Sequence, residues 1–131
     1  MFYARSNRDI DVAFASMVKK QAGAVIIGPD VLLNNRRVQL VILASHHGLP
    51  AIYPWREAVE IGGLMSYGSN FTDAFRLVGI YAGRILKGEK AGDLPIEQPT
   101  KFELLINLQT ARTLGIEIPA TLLASADEVI E

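Results

Sequence analysis

The sequence predicts an α/β fold on a mostly parallel sheet, a three-layer α/β/α arrangement, and three observations predict it. Short, largely apolar runs bounded by glycine or proline recur at residues 24–28, 49–53 and 64–67, the first of them rich in β-branched residues. Segments of helical periodicity alternate with them. The first run is continuous rather than alternating, the pattern of a strand buried on both faces. Such alternation needs right-handed crossovers and places helices on both sides of the sheet.

Residues 9–21 carry Ile10, Ala13, Phe14, Met17 and Val18 at spacings of three and four, one face of an amphipathic helix. Ser6 or Asn7 can cap it, and Gly23 ends it. Residues 24–28 (Ala-Val-Ile-Ile-Gly) form the first strand. After Pro29 and Asp30, Asn34 or Asn35 can cap a second helix. Its Val38, Leu40, Val41, Leu43 and Ala44 make an apolar stripe that stops at His47 and Gly48. Residues 49–53 are the next strand, Pro54 opens a short helix at 55–61, and the Gly62-Gly63 turn leads into a strand at 64–67.

Ser69 or Asn70 caps the longest helix, which runs to about Lys87 and shows a wide apolar face: Phe71, Ala74, Phe75, Val78, Tyr81, Ala82, Ile85 and Leu86. Gly88 closes it. Residues 88–100, polar and containing Pro95 and Pro99, form a connector. Residues 102–108 are extended, with Glu103 and Asn107 polar among apolar neighbours. Residues 110–114 make a helical turn or two ended by Gly115, and Pro119 opens a last short helix at 120–124. A sheet whose first clear strand follows a helix is expected to continue into strands that precede residue 1 in a larger fold.

At 131 residues, 50% hydrophobic and 21% charged, the composition is that of one globular unit with a core of its own. The absence of cysteine removes disulfide frameworks, thiolate metal sites and cysteine nucleophiles. The two histidines, His46 and His47, cannot build a histidine-rich metal centre. They sit where a helix C-terminus favours them as capping groups. With 13 basic and 14 acidic side chains there is no footprint for nucleic acid. No apolar run approaches the roughly 20 residues of a membrane span. Arg5, Arg8 and Asp9 interrupt residues 1–10, which therefore do not read as a signal peptide. Lys19-Lys20 and Arg36-Arg37 read as solvated helix faces.

Open α/β sheets bind ligands outside the carboxyl ends of their strands, so the loops there are the candidate site. Asp30 can pair with a ligand ammonium or hydroxyl, or serve as a turn and helix-start residue. Tyr53, Arg56 and Glu57 suit a zwitterionic or planar organic ligand, with Arg56 and Glu57 alternatively a solvated helix turn and Trp55 a lid on the core. Ser66 and Tyr67 begin a hydroxyl-rich stretch through Asn70 that can hold an anion or cap the long helix. No nucleophile elbow, phosphate loop or dinucleotide fingerprint is present, so neither catalysis nor a cofactor is expected.

The ordered series from Leu49 to Glu57 (Leu-Pro-Ala-Ile-Tyr-Pro-Trp-Arg-Glu) and from Gly62 to Gly68 (Gly-Gly-Leu-Met-Ser-Tyr-Gly) resembles the ABC transporter substrate-binding protein family, periplasmic components related to tryptophan- and tyrosine-type binding proteins. The resemblance continues through Ile85 to Gly88, Asp93 to Pro95, Gln98 to Leu104, Ile106 to Leu108 and Ala126 to Ile130, and so covers residues 7–131. It implies a type I periplasmic-binding-protein fold, two α/β lobes closing on a ligand by hinge motion, of which this chain is the C-terminal portion. Residues 9–65 would belong to the second lobe, 66–70 to a hinge crossing, 71–87 to a helix of the first lobe, and 88–131 to a connector with the last strand and helices.

Matched position by position, the resemblance implies ligand contacts at Asp30, Tyr53, Arg56, Glu57, Ser66 and Tyr67. Asn34 and Asn35 depart from the aromatics and serine common in relatives. The implied partners are a small-molecule ligand and the permease subunits of an importer, with the periplasm as location. The apolar face of residues 71–87 adds an expectation of self-association or element swapping. The competing classes are a ligand-sensing module of a regulator with the same fold and a small flavodoxin-like or hydrolase-like enzyme domain.

Overall fold

The computed structural model describes residues 1–98 and 101–131, and Pro99 of the connector lies outside the described residues. The elements run α1 (Asn7–Lys19), β1 (Val25–Ile26), α2 (Val31–Asn35), α3 (Arg37–His46), β2 (Ala51–Tyr53), α4 (Arg56–Glu60), β3 (Met65–Ser69), α5 (Phe71–Leu86), a 3-10 turn at Ala91–Asp93, β4 (Phe102–Asn107), α6 (Leu108–Leu114), α7 (Ala120–Ala124) and β5 (Glu128–Ile130).

Local capping decides the boundaries. Ser6 is the cap of α1, its hydroxyl accepting from the Asp9 amide at 3.3 Å. The helix ends at Lys19 and the chain turns at Gln21, which takes a left-handed φ of 54°. The second helix starts earlier than expected, because Asp30 rather than Asn34 or Asn35 caps it. The Asp30 carboxylate accepts from the Leu33 amide at 3.2 Å, and a break at Arg36 (φ −108°) divides the segment into α2 and α3. Asn107 caps α6 by accepting from the Thr110 amide at 3.0 Å, so this helix begins at Leu108 rather than Thr110. Gly115, at φ 68°, ends it in the left-handed conformation that glycine adopts without steric cost.

The sheet has five strands in sequence order, β1-β2-β3-β4-β5. Parallel pairs Val25↔Ala51 and Tyr53↔Ser66 join the first three strands. The β3–β4 pair is antiparallel, from Met65↔Ile106 to Ser69↔Phe102, and β5 runs parallel to β4. Strand β5 adds an element that periodicity left unassigned. Because β1, β2 and β3 step in one direction, right-handed connections put α3 and α4 on the same face. There α1 and α3 contribute Ile10, Phe14 and Leu40, the β2 end contributes Tyr53 and Trp55, and α4 contributes Ala58, all in one buried cluster. Burying a side chain of the size of Phe14 contributes about 1.5–3 kcal/mol.

Pairing register puts Ile26, Tyr67 and Phe102 on the opposite face, where they are 82%, 56% and 50% exposed. Helix α5 has the wide apolar face read from the sequence, yet none of its residues is buried and Phe75 is 71% exposed. No helix among the described residues is long and apolar enough to cross a membrane.

Candidate functional site

Antiparallel pairing of β3 and β4 brings the carboxyl end of β3 beside the start of β4, at the same edge as the carboxyl end of β2. A depression opens there, lined by Pro54, Arg56, Ser66, Gly68, Ser69, Asn70, Phe71, Thr72, Glu103 and Leu105. Gly68 lets β3 approach the β2 exit: a Cβ on it would lie 2.1 Å from the Pro54 carbonyl oxygen. Ser66 is 2% exposed. Every side-chain polar atom sealed from solvent among the described residues has a partner, and Ser66 lines the depression.

Arg56 begins α4 immediately past this edge. Its Nε donates to Glu60 at 2.9 Å, Nη1 to Glu103 at 3.3 Å and Nη2 to Glu128 at 2.8 Å. One cation therefore faces three carboxylates, from α4, β4 and β5. The hydrogen bonds it donates to Glu60 and Glu128 raise the guanidinium pKa above its ordinary value. Glu103 also accepts a hydrogen bond from the Asn70 side chain, whose Oδ1 accepts from the Asp73 amide at 3.0 Å and so caps α5. The first amides of α5, at Phe71 and Thr72, have no partner inside the helix and border the same depression. Carboxylates on one side and helix amides on the other give the site a cation-accepting and an anion-accepting end.

The structure brings Arg56 and Ser66 together and places the other expected contacts elsewhere. Asp30 stands at the exit of β1 as the cap of α2 and borders a separate apolar cavity. Tyr53 is 1% exposed, on the buried face of β2 with its ring against Gly63, and burial raises its hydroxyl pKa. Glu57 is exposed on α4 outside the depression. Tyr67 points to the opposite sheet face and stacks on Phe102, with ring centroids 5.6 Å apart. His46 and His47 close α3, and the His47 ring packs on Phe14 at 6.3 Å.

Glu103 and Glu128 are the contributions to this edge that the loop-by-loop reading did not assign to it, whereas Asn70 caps α5 as one of the two roles read for it. Glu103 carried a signal, a charge inside an otherwise apolar strand. Glu128 carried none, because β5 was not recognised as a strand.

The family described as ABC transporter substrate binding protein matches residues 1–130. No curated protein sequence matches. Among solved structures, the ABC domain in complex with L-Trp from Streptococcus pneumonia is 27% identical with a TM-score of 0.89, over 98% of this chain and 43% of that one. A conserved domain protein from Vibrio cholerae is 24% identical with a TM-score of 0.86, over 96% of this chain and 42% of that one, and shares the fold. CD0873 from Clostridium difficile, a substrate binding protein with adhesive properties solved in a ligand-free, open form, is 22% identical with a TM-score of 0.64, over 97% and 42%. The present chain thus spans less than half the length of these structures. By its family match and by the α/β architecture shared with them, the chain belongs to the ABC transporter substrate-binding protein family.

Proposed function

We propose that these residues form part of the solute-binding component of an ABC-type importer. This component captures a small organic solute, an amino acid or aromatic compound, and hands it to a membrane permease in the periplasm. The observation that carries the reading is the convergence of Arg56, Ser66 and the start of α5 on one depression at the carboxyl edge of the sheet. The charges on its rim are those a zwitterion needs: the excess carboxylate around Arg56 for an ammonium, and the α5 amides with the Ser66 hydroxyl for a carboxylate, although the depression itself holds only about 20 Å³ and the rest of a ligand would lie outside it. The L-Trp held by a solved relative supports an amino-acid ligand.

The helix α5, with its apolar face unburied, fits a segment that crosses from one lobe to pack on another, with residues 66–70 as the hinge. If that face meets a second copy instead, the chain self-associates. Isothermal titration with L-tryptophan, L-tyrosine and the remaining amino acids tests the ligand reading. One or more should bind, and Ser66→Val should weaken that binding at least tenfold. Absence of binding by every amino acid and aromatic acid, or turnover of one, overturns it.

A further inference from the structure

Helix α5 has 16 residues and none of them is buried, so core packing does not fix its direction. At about 1.5 Å per residue it reaches about 24 Å, and a swing of about 15° at its base would carry the far end about 6 Å. The β3–β4 ladder ends at the pair Ser69↔Phe102, and the Asn70 amide donates to the Lys101 carbonyl at 3.1 Å, so the backbone is held as far as Asn70. Beyond that point the direction of the helix turns on the dihedral angles of the few residues at its start. The Tyr81 hydroxyl donates to the Pro95 carbonyl at 2.7 Å, which ties α5 to the connector rather than to the sheet. Among the described residues, two side-chain contacts bridge the first turn of α5 to the start of β4. Lys101 reaches Asp73 at 3.2 Å, but its side chain is 72% exposed, where solvent screens the pair. The other contact is the bond from Nδ2 of Asn70 to Oε1 of Glu103, whose side chain is only 25% exposed.

We propose that Glu103 is a positioning residue of the solute site. Its Oε2 accepts from Nη1 of Arg56 at 3.3 Å while its Oε1 holds the cap of α5, so one side chain joins the two ends of the rim. Arg56 is itself held by Glu60 and Glu128, at 2.9 and 2.8 Å, which makes it a fixed post. Glu103 thereby sets the direction of α5, and with it the spacing between the carboxylates around Arg56 and the amides of Phe71 and Thr72. A carboxylate suits this place because it offers an acceptor to each of two donors on different elements, whereas a glutamine has one acceptor and would meet the second donor with another. The consequence for the solute rests on the ligand reading given above, but the direction of α5 does not.

The test measures residual dipolar couplings of backbone amides in the 131-residue protein without solute, where one alignment tensor should fit both the sheet and α5. Asn70→Asp keeps the oxygen that caps α5 but sets a carboxylate against Glu103. The couplings of α5 should then shrink at least twofold as its direction averages, while those of the sheet and the helical circular dichroism stay unchanged. Adding Glu103→Gln to this variant reverses the bond: the introduced amide nitrogen donates to the introduced carboxylate, and its oxygen accepts from Arg56. The double variant should recover the α5 couplings, a rescue that general destabilisation by two substitutions would not give. Lys101→Gln should change them little. Undiminished α5 couplings in Asn70→Asp overturn the proposal, as does failure of the double variant to recover them or an equal loss in Lys101→Gln. Because no solute is present, these outcomes are separate from those of the titrations that test the ligand reading.

Discussion

The Nη2 of Arg56 lies 2.8 Å from Oε2 of Glu128, fastening the first turn of α4 to the last strand of the sheet across 72 positions of sequence. The same guanidinium reaches Glu103 on the intervening strand, so α4, β4 and β5 meet at one charge. The cluster borders the depression that holds Ser66, and its geometry sets the local charge there.

Replacing Arg56 with Gln leaves Glu60, Glu103 and Glu128 without their cation. Exposed ion pairs contribute about 0.2–1 kcal/mol each, and solvent screening acts on a side chain that is 41% exposed. The expected loss is about 1 kcal/mol in low salt, seen as a melting temperature lower by a few degrees. In about 1 M salt the difference between the two proteins should shrink. Equal melting temperatures in low salt would show that the cluster contributes no stability.

Gly68→Ala and Gly79→Ala should change stability in opposite directions. A Cβ at Gly68 meets the Pro54 carbonyl oxygen at 2.1 Å and would force β2 and β3 apart, a loss of about 1–3 kcal/mol. Gly79 lies inside α5 with nothing within 4 Å of the added carbon, and alanine there should gain up to about 1 kcal/mol through helix propensity. Urea unfolding of both variants reads the two signs.

Asn107 is 5% exposed and works with both ends of its amide. Nδ2 donates to the Val59 carbonyl at 3.3 Å, and Oδ1 caps α6. Asn107→Ala should cost about 0.5–2 kcal/mol, since it removes the cap of α6 and one of two hydrogen bonds to the buried Val59 carbonyl, which keeps the Gly62 amide at 3.0 Å. Asn107→Asp keeps the capping acceptor but puts a carboxylate oxygen against the Val59 carbonyl. It should unfold more readily at neutral pH than in mild acid, where protonation restores a donor. Chemical denaturation at the two pH values distinguishes them.

Asp73 is held below its ordinary carboxyl value of 3.8 by Lys101, whose Nζ lies at 3.2 Å, and by Arg76, also at 3.2 Å. A folded-state pKa below the unfolded one stabilises at higher pH. That contribution is present above the unfolded value and is lost as the pH falls through the folded one. Carboxyl NMR titration should place the Asp73 midpoint below 3.8, and Lys101→Gln should move it upward. An unmoved midpoint would mean that Arg76 alone sets it.

Much of the α/β alternation was legible because it is written in short-range periodicity. Phe14 and Met17 fall on the buried stripe of α1, and residues 24–28 read as a strand from their β-branched run. The site was legible only in part. Arg56 and Ser66 meet at the expected edge, whereas Tyr53, read as a cleft residue from its loop position, lies on the core side of β2. A strand-end position fixes which edge a residue occupies but not what packs over its side chain: Tyr53 pairs with Ser66 on the same sheet face, yet its ring is sealed against Gly63.

The sequence by itself determined most of the order of helices and strands and the helical apolar faces, because these depend on neighbours within a few positions. Only the tertiary structure decided that β4 runs against β3, that β5 exists as a strand, and that Glu103 and Glu128 converge on Arg56. The strand pairings join residues such as Met65 with Ile106 and Leu105 with Glu128, and the Arg56 contacts reach 47 and 72 positions along the chain. Their energies come from ladder hydrogen bonds and charge contacts that no local window of residues contains.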